Sequence, residues 1–450
     1  MALSRRRFFH SLTLSAAALT TMSRADDAIA TATRIEPPSS LRPPFRLPVS
    51  WYLATVKRFQ AKLKEQGLAG AIVADPLNRN YLTGLFLTET ERPNFLFVPA
   101  EGEPTAFIPG LDRDMVGSWW IKNFEWYFDY MHAGEYNKVV WKAGPAEDLF
   151  LWMLKGVSKR GFGKRKLGID REPTPSVSKK FKATLPEASL TDIARLLLHM
   201  REIKTPEEIE LTEKAIDLQD RMLMFAREYI LEHGSDVRDY DVRTATSEWA
   251  TRELMRQLPL DGRPHNGVGI NLSFGCRAGV STAYPHPNQF FYQRLERGQP
   301  VQIAARITIG GYGGEGYRAL HIEPMTDPQR RMWEVHNEMT LVQADLSKAG
   351  ARCNEIAEKV LAVAEKAGME KYVYHRPAHG AGMEGHQAPY VALGDQTVLE
   401  ENMMFSNEPG LYNPEGGYGY NHSNTILVER ERGRRMNQVP LTKEWCWLKL

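Results

Sequence analysis

The 450-residue sequence predicts an α+β protein in two domains, and three observations lead there. A long helical pattern opens at Thr205-Pro206-Glu207-Glu208, which has the residues of a capping box with proline at the first helical position. Two strand-like runs between Arg297 and Ile322 flank a glycine-rich turn, and helices and short strands alternate after them. The chain is also too long for one small core, which makes two domains the natural division. A composition 42% hydrophobic and 25% charged is globular, not disordered. The formal net charge of +2 leaves no basic footprint for nucleic acid.

Residues 1–26 read as an export signal. Ser4-Arg5-Arg6-Arg7-Phe8-Phe9 precedes a short apolar run, Leu12 to Thr20, and a small-residue end, so cleavage is expected near Ala25. Adjacent arginines before two phenylalanines have the form of a twin-arginine signal, which directs the protein to the periplasm. The apolar run is too short to span a bilayer and no later segment is long enough, so no membrane attachment is expected once the signal is removed. Residues 27–48 hold Pro37, Pro38, Pro43, Pro44 and Pro48, the pattern of an extended linker or surface strap.

The first domain is expected over 49–198. Tyr52, Val56, Phe59 and Leu63 recur at helical spacing and Gly67 is placed to cap that helix. Residues 69–74 read as a buried strand and Asp75-Pro76-Leu77-Asn78 as a turn. Phe95–Val98 and Thr105–Pro109 bracket Glu101-Gly102-Glu103 as a hairpin. Leu149–Leu154 reads as helix, Leu167–Asp170 as strand, and Glu187–Met200 as a mixed segment ending in an apolar helix.

The second domain is expected over 199–450. Ile209, Ile216, Leu223 and Ile230 mark one face of its first helix, stopped at Gly234, and a second runs from about Tyr240 to Gln257. Helices are expected over 328–349 and 354–367, with strands at 403–406 and 425–428. Cys276, Cys353 and Cys446 are widely spaced and form no zinc pattern, so they read as core residues.

Chemistry concentrates in His379-Gly-Ala-Gly-Met-Glu-Gly-His386-Gln-Ala-Pro389, followed by Phe405-Ser-Asn-Glu408-Pro409-Gly410. Histidine and glutamate are the usual proton carriers and common metal ligands. Taken alone, the segment also fits a glycine loop with two surface histidines.

The order of motifs resembles the creatinase, prolidase and aminopeptidase P family. The carriers are Arg201-Glu-Ile-Lys-Thr-Pro-Glu-Glu-Ile209, Gly350–Ala357, His379-Gly-Ala-Gly382, His386, Asn407-Glu408-Pro409 and His422–Val428. The resemblance implies a smaller mixed α/β domain followed by a "pita-bread" domain with a central cleft, usually in a homodimer. It also implies two metal ions held by two aspartates, a histidine and two glutamates. Carried over residue by residue, the second aspartate falls on Glu315, the histidine on His379 and the first glutamate on Glu408. The first aspartate falls on Ala304 and the last glutamate on Ser423, neither of which replaces a carboxylate. No metal cofactor is therefore predicted; a single divalent ion, if bound, would use Glu315, His379 and Glu408.

Creatinase is the family's precedent for catalysis without metal. Its catalytic histidine falls on His286 in Tyr284-Pro285-His286-Pro287, its substrate-binding glutamate on Tyr317, and its arginine beyond the second histidine on Tyr390. The expected catalytic residues are thus His286, His379 and Glu408. Arg306, Glu315, His386, Tyr317 and Tyr390 are expected to bind substrate, with Arg306 suited to a carboxylate. Three functions remain open. They are a metal-independent hydrolase or lyase cutting a C–N bond of a small zwitterionic or peptide-like compound, an Xaa-Pro metallopeptidase with altered ligands, and a non-catalytic binding protein.

Overall fold

The computed structural model describes residues 45–127, 148–257, 268–286 and 292–450. The expected signal, most of the linker, and Pro287 beyond His286 lie outside the described residues. The end of the linker is not a surface strap: Phe45, Arg46 and Leu47 are buried, and the Arg46 guanidinium lies 3.7 Å over the Trp119 ring.

In the N-terminal half, helix α1 (Val49–Glu65) buries Trp51, Tyr52, Val56, Phe59 and Leu63, the stripe that the sequence spacing marks. It leads into strand β1 (Gly70–Val73), which is buried throughout. Asp75-Pro76 then starts a helix, α2 (Pro76–Thr83), where a turn is expected. The reason is local: the Asp75 carboxylate accepts the amides of Leu77 and Asn78 at 2.9 and 3.1 Å, and Pro76 supplies the first helical residue.

Strands β2 (Phe95–Pro99) and β3 (Thr105–Pro109) form the expected hairpin. Next come β4 (Phe124–Tyr127), α3 (Leu149–Val157), β5 (Lys166–Ile169), α4 (Pro175–Thr184), β6 (Ser189–Asp192) and α5 (Ala194–Glu202). The six strands make one mixed sheet, ordered β4-β3-β2-β1-β5-β6, with β1–β2–β3 antiparallel and β1–β5–β6 parallel. Ile72, Phe97, Phe107, Met153, Leu154 and Leu167 pack together beneath it.

The C-terminal half opens with α6 (Pro206–His233), whose capping box forms as read: Thr205 and Glu208 exchange side chain for backbone at 2.7 and 3.4 Å. Glu208 is buried and also accepts the Tyr312 hydroxyl at 2.8 Å. Helix α7 (Asp239–Gln257) follows, then β7 (Asn271–Ala278), β8 (Pro300–Ile309) and β9 (Tyr312–Ile322). Long helix α6 lies on this sheet, where Gln219 Nε2 donates to the carbonyls of Ala305 and Gly314 at 3.0 and 2.8 Å. Gly316 permits that approach; a Cβ there would stand 2.7 Å from Gln219 Oε1.

Helices α8 (Asp327–Leu346) and α9 (Cys353–Lys366) precede a second antiparallel sheet. It is built from β10 (Ala378–Gly380), β11 (Gln387–Val391), β12 (Met404–Asn407), β15 (Asn424–Val428) and β16 (Gly433–Arg435), ordered β11-β10-β12-β15-β16. A hairpin of β13 (Leu411–Asn413) and β14 (Tyr418–Tyr420) sits between β12 and β15 in sequence, and β17 (Trp447–Leu448) adds to the edge of β9. The two sheets meet at Tyr317 and Ser423, whose backbones bond reciprocally at 3.1 Å each. This N-terminal α/β domain followed by a pita-bread domain is the predicted fold class. The three cysteines are free, Cys353 and Cys446 buried and Cys276 partly so.

Candidate active site

Between the two C-terminal sheets opens a cavity of about 990 Å³. Its floor is one face of β7 and β8. Ser273, Gly275 and Arg277 pair in register with Arg306, Ala304 and Gln302, so strand alternation turns all six the same way. His286, Tyr317, His386 and Glu408 also line the cavity.

Glu315 and His379 are buried immediately behind the wall. The Glu315 carboxylate is held from several sides. Its Oε1 accepts Ser406 Oγ at 3.0 Å and faces His379 Nε2 at 3.2 Å. Its Oε2 lies 2.9 Å from Arg306 Nη2 and accepts the Tyr317 hydroxyl. The Arg306 guanidinium also donates to that hydroxyl, closing a triangle. Burial resists ionisation of Glu315, but the bond from His379 and the charge of Arg306 outweigh it and hold the carboxyl well below its ordinary value.

His379 is flanked by acceptors on both ring nitrogens. Nδ1 faces the Gly380 carbonyl at 3.1 Å; Nε2 faces Glu315 and Glu408 at 3.2 and 3.1 Å. A ring with acceptors on both sides carries both protons. Burial alone would push its pKa down; the bonds to the two glutamates raise it to about 9. His386 stacks on it with ring centroids 3.9 Å apart. Burial first, and the charge of His379 second, depress the pKa of His386. The site therefore pairs an imidazolium with a neutral imidazole.

His286 lies exposed at the cavity lip after the 3-10 turn Gly279–Ala283. Tyr390 stands opposite His379 on β11, but Arg376 lies 4.3 Å over its ring, and Arg376 is the residue that faces the cavity. The structure thus brings His286, Arg306, Tyr317, His386 and Glu408 to one cavity, with Glu315 and His379 behind them and Tyr390 set back. Sequence reasoning passed over Ser406. Its signal was its place in β12 two residues before Glu408, where it pairs in register with His379.

Residues 210–430 match the model of metallopeptidase family M24, and residues 56–203 match the creatinase/prolidase N-terminal domain. The chain belongs to the creatinase/prolidase family. Among its relatives, an Xaa-Pro dipeptidase of Lactobacillus delbrueckii subsp. lactis is 26% identical over 362 residues, 79% of this chain and 89% of that protein. A creatinase of a Bacillus species is 24% identical over 385 residues, 84% of this chain and 87% of that protein. The prolidase structure from Thermococcus sibiricus superposes with a TM-score of 0.70 at 22% identity, over 86% of this chain and 97% of that one. Membership makes this chain an enzyme, a hydrolase of the creatinase/prolidase family.

The family's two-metal centre does not fit these residues. Such a centre needs carboxylates bridging two cations about 3.5–4 Å apart. Ala304 supplies no donor; Ser423 offers a hydroxyl engaged with Ser406 at 3.0 Å. A guanidinium, moreover, already occupies one side of Glu315. One smaller donor group exists among the described residues: ligand atoms of Glu315, His379 and His386 lie within 4.8 Å of one another.

Proposed function

We propose that this protein hydrolyses a C–N bond of a small zwitterionic or peptide-like compound by histidine and glutamate chemistry, without the two-metal centre. One observation carries the reading: Arg306 and His379, two fixed cations, hold Glu315 where the family places metal. Preorganised charge of this kind stabilises developing negative charge without a metal.

In this reading His286 takes a proton from water at the cavity lip. The water oxygen bonds to the carbon of the C–N bond. That bond then breaks, and the departing nitrogen takes its proton from Glu408, which lines the cavity and is reprotonated by the His379 imidazolium 3.1 Å away. Glu315 and Glu408 orient the ring throughout, and His386 is a second neutral base beside it. General acid–base contributions of this kind are worth about 10²–10⁴-fold each.

Metal analysis with a chelator tests the proposal. Hydrolysis of a dipeptide and amide panel should survive dialysis against EDTA, in protein carrying far less than one metal per chain. Two metals bound per chain, with activity lost on their removal, would overturn it. The ligand group Glu315, His379 and His386 favours a second reading, an Xaa-Pro dipeptidase using one divalent ion. One metal per chain whose removal abolishes turnover selects that reading. We further propose that the mature protein acts in the periplasm as a homodimer.

A further inference from the structure

The loop that carries His386 has little of its own to hold it. Gly380-Ala381-Gly382-Met383-Glu384-Gly385 leads from β10 to β11, and its three glycines leave the backbone free. Among the described residues, the amides of Gly382, Met383, Glu384 and Gly385 reach no backbone carbonyl. The β10–β11 register shifts between His379 and Gly380, so strand pairing alone does not aim the loop. Yet the His386 ring lies 3.9 Å from the His379 ring and 27° from parallel to it. Contacts from outside the loop must set that placement.

Glu384 is the one ionised side chain between Gly380 and Gly385, and Arg201 Nη1 donates to its Oε2 at 3.3 Å. Arg201 stands in the last turn of α5. Its Nε donates at 3.1 Å to Asn78 Oδ1 in α2. Asn78 Nδ2 donates in turn to Asp170 Oδ2 at 3.0 Å. Asp170 follows β5 and ends the line, accepting the amides of Ala74 and Asp75, just past β1, at 2.8 and 3.0 Å. A guanidinium cannot accept and an ionised carboxylate cannot donate, so one orientation of the Asn78 amide serves both neighbours. Asp170, Asn78 and Arg201 are all buried.

The close packing of the loop acts on its first half. A Cβ on Gly382 would stand 3.0 Å from Lys204 Cε, and one on Gly311 would stand 3.0 Å from Met383 Cε. Beyond Glu384 nothing crowds the chain: a Cβ on Gly385 would meet open space. The ion pair is therefore the last side-chain anchor before His386, two residues on. A guanidinium suits the task, because its rigid fork reaches two acceptors at once, Asn78 behind and Glu384 in front.

We propose that Arg201 and Glu384 are positioning residues for His386, and that the buried line Asp170–Asn78–Arg201 carries the order of the N-terminal sheet to that ring. The inference rests on the hydrolase reading only for what His386 does once it is placed. A rim ion pair of the ordinary kind leaves the ring stack unchanged when it is broken; a positioning pair takes the stack with it. Misplacing a reacting group by about 1 Å costs on the order of 10²-fold in rate.

Histidine ring signals in NMR spectra of the labelled full-length protein test the tie. Spectra are taken at about pH 8, where an ordinary imidazole is neutral, so that a moved signal reports position. His386→Gln identifies the His386 signal, and the buried His336 and His422 signals report the fold. In Glu384→Ala, Arg201→Lys and Asn78→Ala the His386 signal should leave its stacked position for that of a free surface ring, with His336 and His422 unmoved. Lysine fails at 201 because one ammonium does not replace the fork between Asn78 and Glu384. The Glu384 side chain is 37% exposed, so its variant remains informative if the buried ones unfold. A His386 signal unmoved in Glu384→Ala overturns the proposal. Displacement there, with none in a folded Asn78→Ala, overturns the line to the N-terminal sheet, and a stack kept in Arg201→Lys overturns the fork. Turnover keeps the two readings apart. Glu384→Ala should lower kcat about tenfold to a hundredfold and change KM less. A wild type that hydrolyses no amide sinks the hydrolase and leaves the ring signals to decide the tie; a displaced ring with full kcat removes His386 from the chemistry and leaves the tie.

Discussion

His379 Nε2 stands between two glutamate oxygens, and that placement fixes how the residue responds to pH. Its folded pKa, about 9, exceeds the ordinary 6.5. The charged ring therefore contributes stability that is fully present below pH 6.5 and is lost as pH rises through 9. Urea midpoints of wild type should fall across that window, by up to about 3 kcal/mol in unfolding free energy. His379→Gln should flatten the profile; an unchanged slope would show that the imidazolium is not held by Glu315 and Glu408. Activity is expected to fall through the same pH range if His379 supplies the proton. His286→Ala should lower kcat about 10²–10⁴-fold while the protein stays folded, since the exposed ring leaves no cavity behind. Normal turnover by that variant would return His286 to the surface.

At the scale of elements, helix α6 couples its own start to the sheet beneath it. Thr205 caps the helix and accepts Trp51 Nε1 at 2.9 Å; Glu208 completes the box and accepts Tyr312. Thr205→Ala should cost about 1–2 kcal/mol in chemical denaturation, and Thr205→Ser should restore most of it. This helix was legible because its signals are local: a cap, a proline, and apolar residues seven apart, Ile209, Ile216, Leu223 and Ile230. Strand β7 also carried a signal, which the sequence reading passed over: Leu272, Phe274, Cys276 and Ala278 alternate with Asn271, Ser273, Gly275 and Arg277, and Ser273, Gly275 and Arg277 of the second set face the cavity. Helix α2 hid behind Asp-Pro, a pair that serves equally as a turn or as a helix start. In the site, Glu315, His379 and Glu408 could be placed through ordered motifs. The triangle of Arg306, Tyr317 and Glu315 depends on the β8–β9 register, which pairs Arg306 with Glu315 and no sequence spacing announces.

For the whole molecule, the first prediction concerns export. Replacing Arg5 and Arg6 together by lysine should retain the protein in the cytoplasm, read by fractionation and by the mass of its N-terminus; processed periplasmic protein from that variant would exclude the twin-arginine route. A second follows from the join between the C-terminal sheets. Tyr317 and Ser423 exchange both backbone bonds, and Arg318 Nη1 adds a third to the Ser423 carbonyl at 3.0 Å. That join lies beside Glu315, so parting the sheets dismantles the charge cluster. In amide hydrogen exchange, Tyr317 and Ser423 should be released only with global unfolding, whereas the lip at Tyr284–His286 should exchange by local opening. That order of release would leave the His286 lip free to open while the floor beneath it stays shut.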